Sequence, residues 1–157
     1  MTILWLHGKE SGPFGSKYHA LVDAGFDVMA PDLQDLSLAD RVSKVVPLLE
    51  SKPFVVGSSM GGITAVLAAR AFGGALPGLL LCAPAFRISD EPLASLHVNA
   101  PVTIIHGSLD DIVPIEDSRQ YAALHGARLI EVKDGHRLAE SLEPIVLEAK
   151  RMTNISI

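Results

Sequence analysis

Phe54-Val55-Val56-Gly57-Ser58-Ser59-Met60-Gly61-Gly62-Ile63-Thr64-Ala65-Val66-Leu67 is the stretch on which the reading of this chain turns. Its first three residues are apolar at successive positions, the mark of a short strand buried on both faces. From Ile63 onward, Ile63, Val66 and Leu67 recur at helical spacing, and Arg70 ends that face in charge. A strand therefore passes into a helix across Gly57 to Gly62. So short a turn holds Ser59 in a strained backbone, and Gly57 and Gly61 have no side chains to keep strand and helix apart. The Ser59 hydroxyl then projects into the space beyond the strand, and the Met60 N–H beside it lies at a helix N-terminus, where partial positive charge collects.

The same switch of period repeats on both sides. Apolar runs at 3–6, 26–30, 79–82, 102–105 and 129–132 join 54–56 as strands buried on both faces. Trp5, Phe54 and Cys82 fall within or at the end of these runs and are assigned to the core. Between the runs lie helical stretches. Ser16 caps a first helix that ends at Gly25; Leu38, Val42, Val45 and Leu49 mark a second; a further one runs from about Glu116 to His125; Pro144, tolerated only in a first turn, starts the last near Ser141 or Leu142. Strand and helix alternate throughout. This predicts an α/β fold, a parallel sheet of six strands with helices on both faces, and ligands bound at the carboxyl ends of the strands.

The 157 residues make one domain, 1–157. Apolar residues are 48% and charged ones 20%, enough burial to exclude bulk disorder. Thirteen Lys and Arg against eighteen Asp and Glu leave a net charge of -5, the wrong sign for a nucleic-acid or anionic-membrane binder. The single Cys82 excludes an intrachain disulfide and a thiolate metal cluster and suits a reducing compartment. Mean hydropathy is +0.33, but charged residues, Pro and Gly interrupt every apolar stretch, so no membrane span is expected. The first residues, Met1-Thr2-Ile3-Leu4-Trp5-Leu6-His7-Gly8, lack the basic region of a signal peptide, and a cytoplasmic location is expected. The apolar balance leaves room for a homo-oligomer.

Two other strand ends carry chemistry. After the fifth strand comes His106-Gly107-Ser108-Leu109-Asp110-Asp111-Ile112-Val113-Pro114; either carboxylate of the pair is placed to orient a histidine, although Asp is also an ordinary turn residue. After the sixth comes Lys133-Asp134-Gly135-His136-Arg137, with His136 a candidate base. The other histidines compete less well. His19 and His125 fall in helical stretches, His97 in the least regular part of the chain, and His7 and His106 in His-Gly pairs suited to packing or loop positioning. Ser59, a carboxylate and His136 thus follow three different strands, in the chain order nucleophile, acid, base.

These motifs, with Leu6-His7-Gly8 and Ala30-Pro31-Asp32, resemble those of small bacterial α/β-hydrolases of the short esterase type over almost the whole chain. The resemblance implies the α/β-hydrolase fold with strand order 2-1-3-4-5-6. It implies catalytic Ser59, Asp110 and His136, the spacing from Gly107 favouring Asp110 over Asp111. It implies an oxyanion hole from the backbone N–H groups of Lys9 and Met60. A small acyl ester as substrate follows, a thioester as the near alternative, and no metal or other cofactor. A non-catalytic binding protein on the same fold is the rival from another class. Residues 83–101 are too few for the helical cap of many members, so an open cleft is expected. Lys9 and Glu10 are expected at the cleft opening with their side chains in solvent.

Overall fold

The computed structural model describes residues 1–154. In chain order the elements are β1 (Thr2–Leu6), α1 (Ser16–Asp23), β2 (Asp27–Met29), α2 (Leu38–Val45), β3 (Phe54–Ser58), α3 (Met60–Phe72), β4 (Leu79–Cys82), β5 (Val102–Gly107), α4 (Ile115–His125), β6 (Arg128–Val132) and α5 (Leu142–Thr153). The strands form one parallel sheet in the order β2-β1-β3-β4-β5-β6, as the alternation and the resemblance implied.

Successive strand residues point to opposite faces, and the core divides accordingly. Leu4, Leu6, Val55, Leu79, Leu81 and Ile104 enter one apolar cluster with Val45 of α2, Ile63 and Val66 of α3 and Tyr121 of α4. Ile3, Trp5, Phe54, Val56, Leu80, Cys82 and Ile105 enter the other with Leu21 of α1 and Ile145 and Ala149 of α5. Both faces of the sheet are thus covered, α2, α3 and α4 on one and α1 and α5 on the other.

Three sequence expectations change. β2 and β6 are edge strands and only half-buried, because each has a single neighbour and their outer sides meet solvent. The second helix does not continue to Leu49. Pro47 has no N–H for the carbonyl four residues back, and the chain tightens into a 3-10 turn at Val46–Ser51 with Leu49 still buried. Ser16 does not cap α1; it is the first helical residue, and Gly15 stands at the N-cap with no side chain to offer.

Residues 83–101 cross the end of the sheet in two short 3-10 turns, Phe86–Ile88 and Leu93–Ser95. Phe86, Leu93, Leu96 and Val98 pack into the α3 side of the core, while Ala85, Arg87 and Ile88 line the cleft over Ser59.

Candidate active site

Ser59 sits between β3 and α3 with φ 55° and ψ -115°, an unfavourable conformation for a residue with a Cβ. The neighbouring chain holds it there. The Ser59 N–H donates to the Cys82 carbonyl at 2.9 Å, and the Ser59 carbonyl accepts from Ala85 at 3.0 Å and Gly62 at 3.0 Å. The two glycines matter by their missing atoms: a Cβ on Gly57 would run into the Gly61 carbonyl, and one on Gly61 into the Leu6 carbonyl.

His136 comes to this serine from a site 77 residues away, its Nε2 at 3.1 Å from Ser59 Oγ. Its Nδ1 lies 2.8 Å from Asp110 Oδ2. An ionised carboxylate only accepts, so Nδ1 carries the proton and Nε2 is free to accept from the hydroxyl. The other oxygen, Oδ1, accepts from the Ile112 N–H at 2.9 Å and the Val113 N–H at 2.8 Å. Burial pushes the Asp110 carboxyl up, but these bonds and His136 outweigh it and hold the pKa below its ordinary value. Asp111 is exposed and stands apart from this set. The loop that carries His136 is built by Asp134, whose carboxylate accepts from the Gly135 N–H, the Glu140 N–H and the Ser141 hydroxyl at 2.7, 2.9 and 2.8 Å.

The two histidines of the His-Gly pairs are packed and position loops of the site, and Arg41, for which the sequence offered no role, joins one of them. His7 is fully buried; its Nε2 accepts from the Leu33 N–H at 2.8 Å, so its Nδ1–H donates to the Gly8 carbonyl at 2.7 Å. Burial and the neighbouring Arg41 charge lower its pKa, and the ring is neutral although Asp32 lies 3.9 Å away. Arg41 of α2 is 1% exposed and reaches the His7 carbonyl at 2.6 Å and the Gly8 carbonyl at 3.0 Å. Its spacing with Leu38 and Val45 gave no signal, because an Arg on a helix is ordinarily at the surface. His106 is also fully buried. Its Nε2–H donates to the Val113 carbonyl at 3.0 Å and stands 3.1 Å from Asp110 Oδ2, while Nδ1 lies 2.7 Å from Ser118 Oγ. The His-Gly pairing was visible in the sequence, but not what lay behind each ring.

A cleft of about 650 Å³ opens over Ser59 and His136, walled by the loop after β1, the start of α1, Arg87 and the turn at Val113. Lys9 and Glu10 are exposed on its wall, as expected. Arg87 pairs with the nearly buried Asp117 of α4 at 2.9 Å. Glu91 pairs with Arg70 at 3.0 Å. Cys82 lies behind the site, and burial pushes its thiol up to about 11. Among the described residues no group of three or more His, Cys, Asp and Glu is placed to hold a metal ion. No described helix is long and apolar enough to cross a membrane.

No family model matches the chain, and no curated protein matches it. Solved structures do. A candidate hydrolase of the alpha/beta superfamily from Xanthomonas campestris superposes with a TM-score of 0.85 at 24% identity, over 98% of each chain. The ydeN gene product of B. subtilis superposes with a TM-score of 0.81 at 17% identity, over 98% of each chain. A monoacylglycerol lipase from Paleococcus ferrophilus does so with a TM-score of 0.73 at 18% identity, over 99% of this chain and 95% of its own. Together with the sheet order, these likenesses show that the chain has the α/β-hydrolase fold.

Proposed function

We propose that the protein is a serine hydrolase that cleaves small acyl esters through an acyl-enzyme. The observation that carries this reading is the continuous chain from Ser59 Oγ to His136 Nε2 at 3.1 Å and from His136 Nδ1 to Asp110 Oδ2 at 2.8 Å. In this reading Ser59 Oγ attacks the acyl carbon while His136 takes its proton; the same proton passes to the leaving alcohol as the ester bond breaks. Water then attacks the acyl carbon with His136 again as base, and Ser59 is released. Asp110 keeps the imidazole in the required tautomer and stabilises its cation.

The Lys9 and Met60 N–H groups are the proposed oxyanion donors. Arg41 and His7 support this at the Gly8 peptide: they take its carbonyl from one side, and a trans peptide turns the Lys9 N–H to the other. A Cβ placed on Gly8 would lie 3.6 Å from that of Ser59, so this loop runs directly past the nucleophile. The free, buried Cys82 suits the reducing cytoplasm as the site of action.

The test is a fluorophosphonate probe with intact-mass readout, on the wild type and Ser59→Ala, followed by short-chain para-nitrophenyl esters. The wild type is expected to gain one label and the variant none, with turnover falling by at least ~10³-fold in the variant. A folded wild type that takes no label would point instead to a non-catalytic binding protein.

A further inference from the structure

The cleft has a feature that ester hydrolysis alone leaves unused. Lys17, in the first turn of α1, is only 9% exposed and lines the same cleft as Ser59. An ammonium has three donors. One goes to the Arg137 carbonyl at 2.8 Å. Among the described residues Lys17 forms no ion pair, whereas Arg70, Arg87, Arg119, Arg128 and Arg151 each find a carboxylate. Asp134 feels the Lys17 charge from beyond ion-pair distance, and its carboxylate also accepts from Gly135, Glu140 and Ser141. A largely buried charge without a close counter-charge is costly, and buried lysines are ordinarily paired.

The helix makes the site more positive. α1 begins at the same wall, with Gly15 at its N-cap, no side-chain cap and no acidic residue in its first turn. A cation at the positive end of a helix dipole is disfavoured by itself. Arg87 and Asp117 in the lining neutralise one another, and of the rest Lys9, Lys17 and Arg137 stand against Glu10, in a chain whose net charge is -5. A cleft lined by one sign of charge concentrates ligands of the other.

We propose that Lys17 and the N-terminus of α1 form a subsite for a carboxylate, so that the substrate is an ester bearing a second, negatively charged group. The inference rests on the hydrolase reading and adds the substrate class to it.

Two matched substrate pairs test it. Mono-para-nitrophenyl adipate against para-nitrophenyl hexanoate puts the charge on the acyl side; para-acetoxybenzoate against para-acetoxybenzamide puts it on the alcohol side. In one pair kcat/KM is expected to be at least ~10-fold higher for the anion, a charge-assisted contact expressed in KM. The ratio should shrink as salt is raised. Lys17→Met should bring it to about one and Lys17→Arg should preserve part of it. Because Lys17 also holds the Arg137 carbonyl, both variants are judged on the ratio, from which a general loss of activity cancels. A wild type that hydrolyses neutral esters but shows no anion preference in either pair overturns the subsite and leaves the hydrolase reading standing. If Lys17→Met does not fold, a wild-type ratio that is flat with salt overturns it equally. If neither pair is hydrolysed and Ser59 takes no label, the hydrolase reading has failed. Calorimetry with adipate then decides the subsite: binding that Lys17→Met abolishes supports it, and no binding overturns it.

Discussion

Two His-Gly pairs end strands of this sheet, and they do different work. His7-Gly8 follows β1 and His106-Gly107 forms the buried end of β5; both rings are fully buried. His7 spends its two nitrogens on backbone, the Leu33 N–H and the Gly8 carbonyl, and so shapes the loop that runs past Ser59. His106 stands behind Asp110, 3.1 Å from its Oδ2, and bonds to the Val113 carbonyl and the Ser118 hydroxyl. The glycines differ as well. A Cβ on Gly107 would strike the Asp134 carbonyl, in the loop that carries His136, whereas one on Gly8 would meet only ordinary contacts, the nearest at 3.6 Å. An identical dipeptide therefore supports the nucleophile side of the site in one place and joins the acid to the base in the other. What sets its role is the backbone packed against it.

Gly107→Ala should have the largest effect. The new methyl displaces the Asp134 backbone and with it His136. A shift of about 1 Å there is expected to cost ~100-fold in kcat/KM, with destabilisation of about 1–3 kcal/mol. Steady-state kinetics and thermal melts check both, and near-wild-type activity would mean that the two loops are not held by this contact.

His106→Leu and His7→Leu sharpen the contrast between the rings. Each leaves buried polar groups without partners, at about 1–3 kcal/mol per group. The activity effects should differ. His106→Leu is expected to lower kcat roughly ten-fold by freeing the Val113 carbonyl and loosening the turn whose N–H groups hold Asp110. His7→Leu should lower it less, because Arg41 still holds the Gly8 carbonyl at 3.0 Å. The reverse order would exchange the roles assigned here.

The acid limb of stability isolates the Asp110 end. Its carboxyl is held below the ordinary value of 3.8, so the stability it contributes is full above that pH and is lost as pH falls through the lowered folded value. Melts of the wild type and Asp110→Asn taken from neutral pH downward should therefore converge below about pH 4. Parallel curves would show that the ionised carboxylate adds no stability.

Gly8→Ala should do least. Its backbone is outside the left-handed region and its Cβ meets nothing closer than 3.6 Å, so stability should change by no more than ~0.5 kcal/mol and activity by less than two-fold. A large loss would show that the loop beside Ser59 tolerates no added atom.

Most of the fold was legible in the sequence because its signals are local. Successive apolar residues mark a buried strand, the spacing of Ile63, Val66 and Leu67 marks a helix, and Gly57 with Gly61 marks the close turn between them. Errors arose where a local signal met a competing one. Pro47 ended a helix that its apolar spacing would have continued, and the edge positions of β2 and β6 exposed residues that their composition assigned to the interior. The candidate residues Ser59 and His136 were also legible, from their places after strands. Their meeting was not, since it spans 77 residues; Asp110 was favoured over Asp111 only through the family resemblance, and its placement depends on which carboxylate the turn at Ile112 and Val113 draws inward. Burial of Arg41 and Lys17 was decided by tertiary structure alone. A charged or polar side chain reads as surface in a sequence, and only the packing of distant elements removes it from water and selects its partner, or leaves it, like Lys17, with a backbone carbonyl and no close carboxylate.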